Sequence, residues 1–226
     1  MEILYKSRDT VAVIKPVGVP SQPDPTGSPD MLTLLSDELR AAGEPSQLYL
    51  VHRLDRAVGG VMIFARNKKS AASLSGQAAE HKLVKKYLAV VEGVTEENAH
   101  LADYLYKDSA KGKAFVVDRP RKGVKEATLS YSRLSTKEAE RGKVSLLMVT
   151  LMSGRFHQIR AQLSSRHHPI VGDKKYGSRH AGASCALFCH SMTFNESGKD
   201  VQVSALPDTT VYPWSEFFEK IEEIGK

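Results

Sequence analysis

The chain has 226 residues, of which 41% are hydrophobic and 26% are charged. This composition is typical of a globular protein and excludes an intrinsically disordered or fibrous chain. The formal net charge of +6 favours binding to polyanions such as nucleic acids, a property shared by many basic proteins with other functions.

Cysteine usage and the opening of the sequence predict a cytoplasmic protein. The two cysteines, Cys185 and Cys189, are too few for a disulfide framework, and no basic segment followed by an apolar one opens the chain. The longest apolar stretches, such as 144–152, are too short to span a bilayer. We therefore expect no membrane insertion.

The first elements that the pattern predicts are a loop and a helix. The loop covers 15–29, which is rich in Pro and Gly, because proline fixes φ and removes a backbone donor. Ser28 as N-cap and Pro29 at the first helical position then predict a helix over 29–42, which Gly43 ends.

The next segment alternates strands and helices. In chain order we predict a strand at 48–51, a polar connection at 52–56, a strand at 60–65, a helix at 68–81 and a strand at 87–91. This alternation leaves the α+β and α/β classes open. The polar cluster is expected on a connection between two buried strands.

The C-terminal half is predicted to be rich in strands. Its segment 100–125 is irregular and basic, and it fits either a solvated hairpin or an RNA-contacting arm. The elements expected after it are strands at 128–134 and 144–151, a helix at 156–165, a strand and turn at 168–173, strands at 186–194 and 201–205, and a helix from Pro213 with Trp214, Phe217, Phe218 and Ile221 on its core side. No repeat or linker divides the sequence, so we expect one domain over 1–226.

Asp55 is the first candidate for catalysis. Arg53 and Arg56 flank it, and these nearby cations favour an ionised carboxylate. Such a carboxylate could attack carbon, but the same residues also fit a structural ion pair. Arg155 supports the first interpretation, because a cation at the start of a helix opposes the helix dipole and is expected there for another purpose, such as pairing a carboxylate or a phosphate. An exposed surface arginine is the alternative.

Several motifs together resemble those of the RluA-type pseudouridine synthases. They are Lys15-Pro16-Val17-Gly18-Val19-Pro20, His52-Arg53-Leu54-Asp55, Lys86-Tyr87, Gly154-Arg155-Phe156-His157-Gln158-Ile159-Arg160 and His168-Pro169-Ile170-Val171-Gly172-Asp173. The resemblance implies an α+β fold with a mixed, bent, antiparallel-rich β-sheet, flanking helices and an RNA-binding cleft. Many relatives carry an S4-like RNA-binding domain ahead of this core. With about a dozen residues before the first motif, we expect the catalytic domain alone.

The resemblance also implies roles for individual residues. Asp55 matches the family's nucleophile, and Tyr87 matches the tyrosine that packs on the target base and can take the C5 proton. Arg155 matches the basic residue that pairs with the aspartate, and Arg53 matches the arginine that extrudes the target nucleotide. The residues that we assign to RNA binding are Arg53, Arg56, Arg160 and Lys122.

The implied function is isomerisation of uridine to pseudouridine in structured rRNA or tRNA. Because product and substrate are isomers, the reaction needs no redox cofactor, metal or energy donor, and we expect none. The carboxylate can trap C1′, trap C6, or abstract a ribose proton to give a glycal, and the sequence leaves these routes open. We expect structured RNA as the partner, a monomeric protein and no obligate protein partner.

Two other functions compete with this interpretation. A hydrolytic metal enzyme would draw on the histidines of the C-terminal half and on Asp173, but their spacings match no familiar zinc pattern. A non-catalytic RNA-binding module would bind RNA without isomerising it. Such a module would not need Asp55, Tyr87 and Arg155 together.

Overall fold

The computed structural model describes residues 1–180 and 184–226. The strands are, in chain order, β1 (Ile3–Lys6), β2 (Thr10–Lys15), β3 (Tyr49–Leu50), β4 (Gly59–Ala65), β5 (Val84–Glu92), β6 (Asn98–Asp108), β7 (Lys113–Val117), β8 (Val124–Ala139), β9 (Gly142–Leu151), β10 (Leu187–Glu196) and β11 (Lys199–Ser204). The α-helices are α1 (Met31–Ala41), α2 (Lys68–Ala79), α3 (Gln158–Ser164) and α4 (Phe218–Ile224), and 3-10 turns cover Lys174–Tyr176 and Trp214–Phe217. This content confirms the α+β class with parallel and antiparallel strand pairs.

The chain divides into two compact units. The first unit comprises Met1–Lys85 and Phe188–Pro207, and the second comprises Lys86–Leu187 and Asp208–Lys226. That they act as one catalytic domain stays a prediction. Within the described ranges, every helix is too short or too polar to cross a bilayer.

In the first unit, β4 is the central strand of a mixed sheet. It pairs antiparallel with β2 along one edge; along the other edge it pairs antiparallel with β3 and parallel with β10. All 7 residues of β4 are buried, which explains why its sequence is continuously apolar instead of alternating. β1 extends the sheet beyond β2, and β11 extends it beyond β10.

Gly60 lies where β4 meets β10. Its φ is +117°, and a Cβ at this position would overlap the carbonyl of Cys189 on β10. Only glycine meets both conditions without strain. The pairing of β4 with β10, directly after the connection that carries Asp55, therefore depends on this residue.

The start of α1 differs from the prediction. The N-cap is Asp30 instead of Ser28, and Pro29 precedes the helix. The Asp30 carboxylate accepts the backbone N–H groups of Leu32 at 3.0 Å and Thr33 at 3.2 Å. One side chain thus satisfies two otherwise unpaired helix donors, which fixes the start two residues later than expected.

The second unit contains strands in the order β5-β9-β8-β6-β7. β8 and β9 form a long antiparallel hairpin, and β6 pairs antiparallel with both β8 and β7. The prediction that 100–125 is irregular is therefore wrong in its larger part, because β6 and β7 are regular strands, whereas their antiparallel pairing agrees with the hairpin alternative. Leu101 and Leu105 are buried on β6, whereas the charged Asp103 takes the position between them on the same face and masks the alternation that indicates a strand.

The C-terminal helix is also built differently. A 3-10 turn precedes α4, and Trp214, Phe217 and Ile221 are buried as expected. Phe218 is 52% exposed, so its assignment to the core side is wrong. The tighter winding of the 3-10 turn shifts the phase of the residues around it relative to one continuous α-helix.

Candidate active site

Asp55 lies on the connection between β3 and β4, residues 51–58, which we call the Asp55 loop. Its side chain is half-buried, between the buried Leu54 and the exposed Arg56. The Asp55 carbonyl accepts the N–H of Val58 at 2.9 Å, which closes a turn leading into β4. The sequence prediction that the aspartate lies on a connection between two strands is confirmed, although only β4 is fully buried and β3 is half-buried.

Lys15, at the end of β2, approaches the Asp55 loop with a fully buried side chain. Its ammonium donates to the carbonyls of Pro16 at 2.9 Å and Val19 at 2.7 Å, and more weakly to that of Arg56 at 3.4 Å. Burial lowers the pKa of Lys15 to about 8, and the negative charge of Asp55 partly offsets that effect. Sequence reasoning gave Lys15 no role, although a lysine that ends a buried apolar strand was a usable signal.

Arg56 connects the Asp55 loop to the segment before α1. Its Nε donates to the Gly18 carbonyl at 2.8 Å, and the N–H of Gly18 donates back to the Arg56 carbonyl at 2.8 Å. The terminal nitrogens of the guanidinium contact the hydroxyls of Thr26 at 3.4 Å and Ser28 at 3.3 Å. Arg56 therefore has a structural task, while Arg53 is exposed on the same loop.

His52 fixes the start of the Asp55 loop. Its Nε2 accepts the backbone N–H of Ile63 at 3.1 Å, on the edge of β4 between the positions that pair with β3 and with β10. Burial, followed by the charge of Lys85, lowers the pKa of His52 to about 3. The imidazole is neutral at physiological pH, and accepting at Nε2 assigns its proton to Nδ1.

Tyr87 and Arg155 both belong to the second unit. Tyr87 is a buried residue of β5, 5% exposed. Arg155 is exposed and precedes α3, and its Nε donates to the Glu126 carbonyl at 2.8 Å. The Arg155 N–H donates to Oε1 of Gln158 at 3.0 Å, which orders the approach to the helix. The pairing of Arg155 with Asp55 stays a prediction.

Arg160 has an environment that differs from that of an RNA-contacting residue. It is 5% exposed, and it donates to both carboxylate oxygens of Asp173, at 2.7 Å from Nε and 2.9 Å from Nη2. Its guanidinium also lies over the Tyr176 ring, 5.0 Å from the centroid. These contacts favour a structural role, and we leave Arg160 out of the RNA-binding set proposed below.

Lys122 is exposed in the turn between β7 and β8. Two other cations of this region lie over aromatic rings: the guanidinium of the adjacent Arg121 is 5.5 Å from the Tyr106 ring centroid, and the ammonium of Lys113, at the start of β7, is 5.4 Å from that of Phe115. Such contacts hold long basic side chains in place. The hairpin and the turn after it, residues 107–125, form what we call the basic hairpin.

Two of the histidines considered as metal ligands have other partners. Nδ1 of His157 lies 3.0 Å from the Tyr176 hydroxyl, and Nδ1 of His168 lies 2.9 Å from the Glu92 carbonyl. Across 1–180 and 184–226, no three His, Cys, Asp or Glu side chains are grouped as a metal site would require.

Residues 9–165 match the family model described as RNA pseudouridylate synthase. The chain is 32% identical over 190 residues to tRNA pseudouridine synthase C of Haemophilus ducreyi, covering 80% of this chain and 75% of that protein. It is 34% identical over 182 residues to an uncharacterized RNA pseudouridine synthase of Aquifex aeolicus, covering 78% of this chain but only 56% of that longer protein. Among solved structures, human RNA pseudouridylate synthase domain containing 1 is similar, with a TM-score of 0.75, 24% identity and coverage of 94% of this chain and 85% of the human one.

Proposed function

The chain belongs to the RNA pseudouridylate synthase family of isomerases, and from this premise we propose that it converts uridine to pseudouridine in structured rRNA or tRNA with Asp55 as nucleophile. The observation that carries the role of Asp55 is its setting. The carboxylate is half-buried on a loop that two hydrogen bonds tie to a neighbouring segment. Lys15 donates to the Arg56 carbonyl, and Arg56 donates to the Gly18 carbonyl.

The chemistry requires a carboxylate and a way to move one proton. The bond between N1 and C1′ of uridine breaks, the uracil turns, and C5 bonds to C1′. The C5 proton leaves, and N1 gains a proton. Asp55 can trap C1′ or C6, or abstract a ribose proton, and each route ends in the same isomer.

Tyr87 and Arg155 complete the proposed catalytic set. The Tyr87 ring can pack on the uracil, and its oxygen can accept the C5 proton while the proton of its hydroxyl passes to a hydrogen-bonded acceptor. Arg155 can orient the Asp55 carboxylate through charge-assisted hydrogen bonds. Arg53, exposed on the Asp55 loop, can occupy the space that the extruded nucleotide leaves.

We assign RNA contacts outside the reacting nucleotide to Arg53, Arg56 and Lys122. Arg53 and Arg56 lie on the Asp55 loop, and Lys122 belongs to the basic hairpin, where Arg121 and Lys113 lie over the rings of Tyr106 and Phe115. Cations interleaved with aromatic side chains suit the phosphates and bases of RNA. We further propose that the protein acts in the cytoplasm as a monomer.

The substrate is found by mapping pseudouridines in total RNA from cells with and without the protein. Transfer RNA is the first class to inspect, because the Haemophilus ducreyi relative is named for it. A site lost without the protein and restored on an unmodified transcript by the purified protein supports the proposal. RNA binding without any such site would instead indicate a non-catalytic module.

Asp55→Asn tests the nucleophile on that transcript. The amide keeps the side chain's size but cannot act as nucleophile or base, so RNA binding should persist and product should disappear. Asp30→Asn is the matched control, because asparagine is an equally good N-cap and activity should be unchanged. Turnover of Asp55→Asn within tenfold of the unmodified protein contradicts the assignment.

A further inference from the structure

Ser21 makes two hydrogen bonds to the residue that precedes Asp55. Its hydroxyl donates to the Leu54 carbonyl at 2.8 Å, and its oxygen accepts the Leu54 N–H at 3.1 Å. Ser21 is 5% exposed and Leu54 is 6% exposed, so water does not compete freely for these groups. A hydroxyl is the side-chain group that can donate and accept at one atom, as this position demands.

These bonds act on the orientation of the Asp55 backbone. The Leu54 carbonyl and the Asp55 nitrogen belong to one planar peptide group, so the bond from Ser21 fixes the plane on the N-terminal side of Asp55. The Asp55 carbonyl, which accepts the N–H of Val58, fixes the plane on its C-terminal side. With both planes held, φ and ψ of Asp55 are determined, and with them the direction of its Cα–Cβ bond.

The segment that carries Ser21 also holds the residue after Asp55. Gly18 exchanges hydrogen bonds with Arg56, and Lys15 donates to the Arg56 carbonyl. Residues 15–21 therefore anchor the backbone on both sides of Asp55 without touching its carboxylate through any of these bonds. Both of these Ser21 contacts are to the main chain of Leu54, whose side chain is itself buried.

We propose that Ser21 is a positioning residue that aims the Asp55 carboxylate, an inference that rests on the proposed role of Asp55. The hydroxyl acts through the Leu54–Asp55 peptide plane and touches neither RNA nor the reacting atoms. A nucleophile displaced by about 1 Å can lose about 100-fold in rate while the ground-state complex is little changed. The loss of the hydroxyl should accordingly appear in kcat and not in KM.

The experiment compares Ser21→Ala with Ser70→Ala on a transcript that the unmodified protein converts. Ser70 belongs to the same unit, is 9% exposed, and donates its hydroxyl to the Asp9 carbonyl at 2.8 Å, away from the Asp55 loop. Both variants lose a buried hydroxyl bonded to main chain, so their thermal midpoints should fall by similar amounts. Ser21→Ala should lose about 10- to 100-fold in kcat with KM within about threefold, and Ser70→Ala should keep both.

Asp55→Asn, measured in parallel, separates the two proposals. If Asp55→Asn is inactive and Ser21→Ala keeps kcat within twofold, the positioning role is overturned and the proposed function stands. If Asp55→Asn turns over, the assignment of Asp55 as nucleophile and the inference that rests on it both fail, while the conversion of uridine by the unmodified protein stands. Should Ser21→Ala not fold, Ser21→Cys preserves the packing with a weak donor and acceptor, and an unchanged kcat in that variant overturns the inference equally.

Discussion

Two arginine-bearing segments use the same side chain in different ways. On the Asp55 loop, Arg56 is exposed and its guanidinium holds a carbonyl and two hydroxyls of a neighbouring loop. In the segment around α3, Arg155 is exposed and holds a carbonyl, whereas Arg160 is buried and holds the Asp173 carboxylate. The burial of the guanidinium and the charge of its partner, and not the motif, separate structural arginines from those available to a ligand.

The largest expected effect concerns Arg160. Arg160→Met should lower the free energy of unfolding by about 3–5 kcal/mol, because it leaves the Asp173 carboxylate buried without its guanidinium. Chemical denaturation measures this change, and RNA affinity of the folded fraction should stay within twofold. The double variant Arg160→Met with Asp173→Leu should recover most of the loss. A stable Arg160→Met protein with weakened RNA binding would return Arg160 to the RNA interface.

The next largest effect concerns Arg155. Arg155→Lys retains the charge but loses the planar fork, so turnover should fall by about tenfold or more while RNA affinity changes less than about threefold. Arg166→Lys is the matched control, because Arg166 holds both oxygens of Asp103 in the same unit, at 2.9 and 3.1 Å. Equal turnover in the two variants would remove Arg155 from the catalytic set.

The sequence predicted the location of Asp55 better than the environment of the arginines. Apolar runs on both sides of Asp55 predicted that it lies between strands, and the continuously buried β4 gave the clearer of the two patterns, since β3 has only two, half-buried residues. Arg155 and Arg160 could not be separated in this way. Six of the 7 residues of α3 are buried, so helical periodicity gives no polar face that would distinguish a buried arginine.

A pH dependence distinguishes the buried cation beside the Asp55 loop, Lys15, from the exposed arginines on that loop. Because the pKa of Lys15 is lowered from 10.5 to about 8, its ammonium loses its proton above about pH 8 and no longer places a positive charge beside Asp55. Turnover should therefore fall as pH rises through about 8. This fall in turnover should be missing from the pH profile of Lys15→Met. A fall at the same pH in that variant would show that Lys15 is not the group that titrates.

The stability contribution of Lys15 should move in the opposite direction. Between pH 8 and 10.5 the unfolded chain binds more protons at this lysine than the folded protein does. Titration of Lys15 therefore raises the free energy of unfolding as pH increases over this range, by at most about 1.4 kcal/mol per pH unit. The difference in unfolding free energy between the unmodified protein and Lys15→Met, followed by denaturation across this range, measures the contribution.

The smallest expected effect concerns Lys122, an exposed cation on the basic hairpin. If it contacts an RNA phosphate, Lys122→Gln should weaken RNA binding by a few-fold, leave kcat unchanged and reduce the slope of log affinity against log salt by about 1. Lys220→Gln removes the same charge from α4, where the ammonium pairs with Glu223 at 2.7 Å, and serves as the control. Because both changes lower the net charge equally, a general attraction to polyanions would weaken binding to the same degree in both variants. An effect confined to Lys122 therefore locates the RNA on the basic hairpin, and equal slopes in the two variants would exclude it from that surface.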